Sequence, residues 1–254
     1  MILTSSRPTL ARAPILLVLA LFAARPAAAQ QRSVDEKWVW AGAGALLAGS
    51  LLLDRPVEGQ IPEGGGTRLE WATDRLNYLG RPQLAAVALG ATWAGARLAG
   101  SPKTAEAAEH VAIALLASGV ANGTLKAAVG RERPGFTDDP DRFRPVNTRD
   151  RWQSFPSGHA TVAFSLAASI SEEAREPAVT VATYGTATLV GWSRIYEDRH
   201  WTSDVVAGAL VGIVTSRYAI HRLHARRDAR QAAPGAAQVT FAPLPGGAMI
   251  RITH

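Results

Sequence analysis

Apolar residues recur at helical spacing along most of this chain, and glycine and proline punctuate them. Trp38–Leu53 is an apolar stretch that stops at Asp54-Arg55-Pro56, and Gly64-Gly65-Gly66 reads as a loop. Thr67–Leu79 is amphipathic, with Leu69, Ala72, Leu76 and Leu79 on one face. Leu84–Leu98 follows Pro82. Thr104–Val129 opens with Thr104 as a cap and Glu106 in its first turn. A polar, Pro-containing connection occupies 131–152. Helical patterns resume over Ser157–Ala174, Ala178–Ile195 and Trp201–His224, and 226–230 is a charged end. The period changes only near the C-terminus, where Val239-Thr240-Phe241 and Met249–Ile252 flank Pro243–Gly247 as two short strands. The pattern predicts an all-α bundle of about six core helices, followed by a small hairpin or a tail over 234–254.

At 254 residues the chain is long enough for one domain with a real core, here 30–233. Residues 1–29 read as a secretory leader. Arg7 and Arg12 are its charged region, Ala13–Ala24 its apolar core, and Ala27-Ala28-Ala29 the small residues before a cut at Gln30. The net charge of +6 falls to +3 without that leader, and no basic run carries interleaved aromatics, so nucleic acid is not an expected partner. Cysteine is absent, which removes disulfide and thiol chemistry. After the leader, helical stretches free of Asp, Glu, Lys and Arg fall short of the about twenty apolar residues that a span requires.

Three short patterns stand in one order. Lys126 is followed by Arg133-Pro134, then by Pro156-Ser157-Gly158-His159, then by Ser193-Arg194, His200 and Asp204. The chain holds only three lysines, Lys37, Lys103 and Lys126, so finding one of them in register carries information. Three cations suit the non-bridging oxygens of a phosphate: arginine offers a planar fork and lysine a point charge. A helix start near Ser157 and Gly158 aims backbone donors at an anion, and Pro156 suits a first helical turn. Arg131 and Glu132 fit a solvated, charged helix end. Trp192 and Trp201 fit core packing. His110 and His221 are lone histidines of the packed or surface kind.

In these residues the chain resembles the type 2 phosphatidic acid phosphatases, which share fold and site with the bacterial class A acid phosphatases and the vanadium haloperoxidases. The family signatures K-x6-RP, PSGH and SR-x5-H-x3-D are all present without substitution between Lys126 and Asp204. The resemblance implies that His200 is the nucleophile, that Asp204 orients it, and that His159 is the general acid. It implies that Lys126, Arg133, Ser157, Gly158 and Arg194 bind phosphate, with Ser193 close by. The expected chemistry is metal-independent hydrolysis of phosphate monoesters or diphosphates through phosphohistidine, with a phosphorylated lipid or a small-molecule phosphate as substrate. No cofactor is implied, and vanadate would inhibit.

The alternatives are a haloperoxidase, in which vanadate is the cofactor, and a non-catalytic envelope protein on the same scaffold. The 131–152 connection and the 54–82 region are expected to border the entrance. Three crossings by 38–53, 84–98 and 104–129 after a cleaved leader would place Lys126 in the cytoplasm, whereas the family's membrane-embedded members face the site outward. The expectation is therefore an exported protein of the periplasm or cell envelope, peripheral to a membrane rather than multi-spanning, with an integral protein as the alternative.

Overall fold

The computed structural model describes residues 36–54, 67–232, 238–244 and 247–253. The expected leader and the Gly64–Gly66 loop lie outside the described residues. Among the described residues seven α-helices run in order: α1 Glu36–Leu51, α2 Thr67–Leu79, α3 Pro82–Leu98, α4 Pro102–Val129, α5 Gly158–Ala174, α6 Pro177–Tyr196 and α7 Thr202–Ala232. Two strands, β1 Gln238–Leu244 and β2 Gly247–Thr253, pair antiparallel. The fold is all-α, as the hydrophobic pattern predicts.

Proline sets three of the starts. Pro82, Pro102 and Pro177 open α3, α4 and α6, where a missing N–H costs nothing and a fixed φ helps. The pattern places all three of these starts one or two residues late because it waits for the first apolar or capping residue. Ser157 caps α5 by accepting from the Ala160 amide, and Gly130 ends α4 in the left-handed region. Pro156 lies before that cap, outside the first turn where the sequence puts it. The third late helix continues through the charged 226–230 stretch to Ala232.

The core sits between α5, α6 and α7. Ala160, Ala163, Phe164, Ala167 and Ala168 of α5 pack against Tyr184, Ala187 and Val190 of α6 and Val205, Ala209 and Ile213 of α7. Alanine at these positions lets the helix axes come close. At Gly208 even a methyl is excluded, since a Cβ would stand 2.5 Å from the Ser157 carbonyl. Small side chains leave backbone and hydroxyls near one another, and serines fill the gap. Ser216 Oγ lies 2.7 Å from Ser165 Oγ and 3.1 Å from Ser118 Oγ, which ties α7 to α5 and α4. Phe164 is the largest apolar wedge here, and Phe164→Ala would cost about 3–5 kcal/mol by cavity formation.

The outer flank is different. Leu84, Val87 and Leu98 of α3, and Ile113, Leu116, Val120 and Leu125 of α4, are exposed. Among the described residues two helices, α4 and Thr202–Gln231 of α7, are long and apolar enough to cross a membrane by length and composition. The sequence misses this because scattered Glu, Lys and Arg interrupt every apolar run, while the helices extend past those charges.

Candidate active site

Four helix ends meet at one end of the bundle. The C-terminal turn of α4 supplies Lys126, the start of α5 supplies Gly158 and His159, the last turn of α6 supplies Arg194, and the start of α7 supplies Asp204. The connection between α4 and α5 closes the group. It folds onto itself through Glu132 N–H to Arg142 O (3.0 Å), Arg133 N–H to Arg151 O (3.0 Å) and Ser154 N–H to Arg131 O (3.0 Å). Lys126 Nζ donates to the Gln153 carbonyl, which fixes the ammonium beside that connection.

His200 lies before α7, not on it, so its spacing of four from Asp204 is not a shared helix face. The turn itself makes the pair. Asp204 is in the first turn of α7, and its Oδ2 accepts from the Trp201 amide at 3.0 Å, the reach-back of a capping box. That same oxygen accepts from Ser154 Oγ at 2.5 Å and lies 3.7 Å from His200 Nδ1. Nδ1 is buried and, among the described residues, has no hydrogen-bond partner at that distance. On the other side of the ring, Arg133 Nη1 is 3.3 Å from His200 Nε2. Arginine has only donors, so Nε2 is the acceptor and carries the lone pair. The proton of the neutral ring is then on Nδ1, facing Asp204.

Electrostatics agree with a neutral ring. Burial, above all, pushes the His200 imidazole down to about 3; Asp204 pulls it up, and Lys126 and Arg133 push it further down. His159 is pushed down to about 4, first by burial and then by Arg194, Arg81, Arg133 and Lys126. Both rings are free bases at neutral pH. Arg194 gives one nitrogen to Glu197 at 2.9 Å, while its Nε is buried without a partner among the described residues. Such a donor is costly to leave unmade and suits an incoming anion. Arg133 is more occupied: Nη2 binds Asp150 Oδ1 at 2.9 Å, and Nη1 also donates to the Arg199 carbonyl at 2.8 Å.

The structure brings Lys126, Arg133, Gly158, His159, Arg194, His200 and Asp204 together. It corrects Ser157. Its amide donates to the Asp204 carbonyl at 2.9 Å, so that N–H holds α5 against α7 instead of facing an anion, while its buried hydroxyl accepts from the Ala160 amide as the α5 cap. Ser193 is also turned inward, donating to Val190 O at 2.7 Å. Trp201 packs as expected and donates from Nε1 to the Glu132 carbonyl at 2.8 Å.

The larger correction concerns Arg131 and Glu132, which are 2% and 1% exposed and are no solvated helix end. Arg131 Nη1 binds Asp204 Oδ1 at 2.9 Å and Ser203 Oγ at 2.6 Å, while Nη2 binds Asp54 Oδ2 at 2.8 Å. Asp54 accepts in turn from the Ser203 amide at 2.8 Å. Arg131 thus lies beneath the His200–Asp204 pair and joins it to the end of α1. Glu132 is enclosed by Arg142, at 3.3 Å, and Arg151. A buried arginine alone would be costly, but two carboxylates satisfy this one. The signal available for Arg131 was its place inside the first motif; Asp54 carried none.

Arg81 is a further cation that the motifs do not contain. It follows Gly80 in the short α2–α3 turn and stacks over Tyr78 at 4.2 Å. A Cβ at Gly80 would stand 2.8 Å from the His159 ring, so the turn packs directly on that histidine. The 54–82 region therefore contributes a wall, as expected, through residues 77–81.

Comparison with known proteins places this geometry. The PAP2 superfamily model matches residues 108–228, which contain all three motifs. Lipid A 1-phosphatase of Porphyromonas gingivalis is 45% identical over 75 residues, 29% of this chain and 16% of that protein. The chain spans less than half the length of the lipid A 1-phosphatases it matches. Among solved structures, Aquifex aeolicus LpxE aligns with a TM-score of 0.51 at 22% identity, over 67% of this chain and 94% of that one. The transmembrane PAP2 type phosphatidylglycerolphosphate phosphatase of Bacillus subtilis aligns with a TM-score of 0.50 at 18% identity, over 87% and 96%. At those identities the structures speak for the fold.

Proposed function

Residues 108–228 belong to the PAP2 superfamily, and from that premise we propose that this chain is an exported, metal-independent lipid-phosphate phosphatase working through phosphohistidine. The observation that carries the reading is the His200 ring, with a lone pair on Nε2 among cations and Nδ1 toward Asp204. Nε2 attacks phosphorus, an N–P bond forms, and the P–O bond to the leaving group breaks. His159 gives the leaving alkoxide its proton. Water then attacks phosphorus and gives a proton to His159, the N–P bond breaks, and inorganic phosphate leaves.

His159 must hold a proton for the first step, although it is a free base in the open site. An incoming phosphate supplies the reason. Its negative charge cancels the fields of Arg194, Arg81, Arg133 and Lys126, and the ring takes up a proton as substrate binds. Lys126, Arg133 and Arg194 then stabilise the charge on the transferring group, with the Arg194 Nε donor finding its partner. Asp204, held by Arg131, keeps the tautomer and stabilises the cationic ring.

The apolar flank of α3 and α4 supports a lipid-borne substrate. Its exposed Leu84, Val87, Leu116 and Val120 suit acyl chains, so enzyme and substrate would share a membrane. The names of the lipid A relatives point the same way. The test is phosphate release from phosphatidate, undecaprenyl diphosphate, lipid A and an aryl phosphate, each with and without EDTA. Turnover of a lipid phosphate, unchanged by chelator, is expected. Activity lost in EDTA while the fold stays intact, and restored by magnesium, would overturn the mechanism.

A further inference from the structure

His110 lies sixteen positions before Lys126 on α4, which is about 24 Å along a helix. There, at the other end of the bundle, three helices converge on one carboxylate oxygen. Glu173 Oε1 of α5 is 2.8 Å from His110 Nδ1 of α4 and 3.0 Å from His224 Nε2 of α7. The three donor atoms lie within 4.8 Å of one another. Four-coordinate zinc holds nitrogen and oxygen ligands at about 2.0–2.2 Å, which separates neighbouring ligand atoms by about 3.3 Å. The two carboxylate contacts need to lengthen by about 0.3–0.5 Å, and the imidazole nitrogens, within 4.8 Å of each other, to close by up to about 1.5 Å, to convert this hydrogen-bonded cluster into a ligand set.

The surroundings complete the pattern. A metal-bound imidazole typically gives its other N–H to a carboxylate, which sets tautomer and orientation. Glu106 Oε1 faces His110 Nε2 at 4.0 Å, and Arg227 holds the second oxygen of Glu106 at 3.0 Å. His110 is buried, and Glu173 and His224 are partly buried, so the donors are pre-positioned by packing. Two borderline imidazoles beside one hard carboxylate suit zinc and its neighbours over magnesium or calcium.

We propose that His110, Glu173 and His224 form a binding site for a divalent transition-metal ion, with Glu106 orienting His110 from behind. The ion ties α4, α5 and α7 together at the end remote from the phosphate-binding residues. Binding moves the His110 proton from Nδ1 to Nε2, toward Glu106, and leaves a fourth position for water. This site is independent of the phosphatase reading and takes no part in that reaction.

The test uses the untagged full-length chain, stripped with chelator and titrated with zinc(II) against a chromophoric chelator, and separately with cobalt(II) alone. One ion per chain is expected, with the visible bands of a four-coordinate cobalt site and a higher Tm in zinc. His224→Gln, a change at a partly exposed position, should weaken zinc binding at least tenfold and abolish the Tm gain. Glu106→Gln should weaken binding about tenfold, as changes of outer partners do. Glu172→Gln should bind as wild type does. Absence of saturable binding, or equal affinity and Tm gain in His224→Gln, would overturn the proposal. All readouts are binding and stability, so failure here leaves the phosphatase reading untouched, and failure of that reading leaves this site testable.

Discussion

The layer beneath His200 and the layer above it contain the same kinds of charged side chain in opposite states. Below, Arg131 is shared between Asp204 and Asp54, and buried Glu132 sits between two arginines. Above, Lys126, Arg133 and Arg194 share fewer carboxylates, Arg194 Nε has no partner, and two histidines are held as free bases. Fully paired charges position, and like charges with donors left over bind. The lower layer completes its interactions when the chain folds, and the upper layer completes them when an anion arrives. Substitutions should therefore separate the two layers by what they damage.

The largest effect is expected from removing the buried cation. Arg131→Ala leaves two carboxylates facing each other in the interior and should cost about 3–5 kcal/mol of stability, with activity lost as well. Denaturant unfolding measures this. Lys126→Ala and Arg194→Ala should leave stability within about 1 kcal/mol of wild type or raise it, because each removes like-charge repulsion. If Arg131→Ala were as stable as Lys126→Ala, the distinction between the layers would fail.

Asp204→Asn keeps shape but removes charge and lets the amide favour the wrong tautomer. Turnover should fall by roughly 10²–10⁴, with a smaller change in substrate affinity. Asp54→Asn acts one bond further away, through Arg131, and should lower turnover less than Asp204→Asn does. Steady-state kinetics of the two variants ranks them, and the opposite ranking would move the orienting role away from Asp204.

In the upper layer, Lys126→Ala and Arg194→Ala should each weaken vanadate inhibition by about 10–100-fold, the worth of a hydrogen bond to a charged group. Vanadate should bind with proton uptake near pH 6, because His159 lies at about 4 in the open site and rises when the anion cancels its cationic neighbours. Calorimetry in buffers of different ionisation enthalpy counts that proton, and His159→Asn should abolish it. The same depressed values give stability a direction. Between about 3, where folded His200 titrates, and about 6.5, its unfolded value, the unfolded chain binds more protons, so stability rises with pH across that window.

Much of this was legible in the residues. Helical periodicity and proline placed the seven helices to within a few residues, except α7, whose charged last turns give no apolar signal beyond His224. The motif residues converge because each occupies or adjoins a helix end, and helix ends are what proline, glycine and capping residues mark. The Ser157 amide differs from expectation because an N–H at a helix start serves an anion or a neighbouring carbonyl with the same sequence signature. Arg131 and Asp54 were misread or missed because burial of a charge depends on a partner 77 residues away, and no local pattern encodes that distance. His110 looked solitary for the same reason: its partners lie on two later helices.

The most direct measurement is acid-labile phosphoryl transfer to His200. Wild-type protein quenched in alkali during turnover of labelled substrate should carry a base-stable, acid-labile label on a peptide containing His200. His200→Ala should carry none, and should lose turnover while keeping its fold. Label found on another residue, or wild-type rates in His200→Ala, would contradict the account.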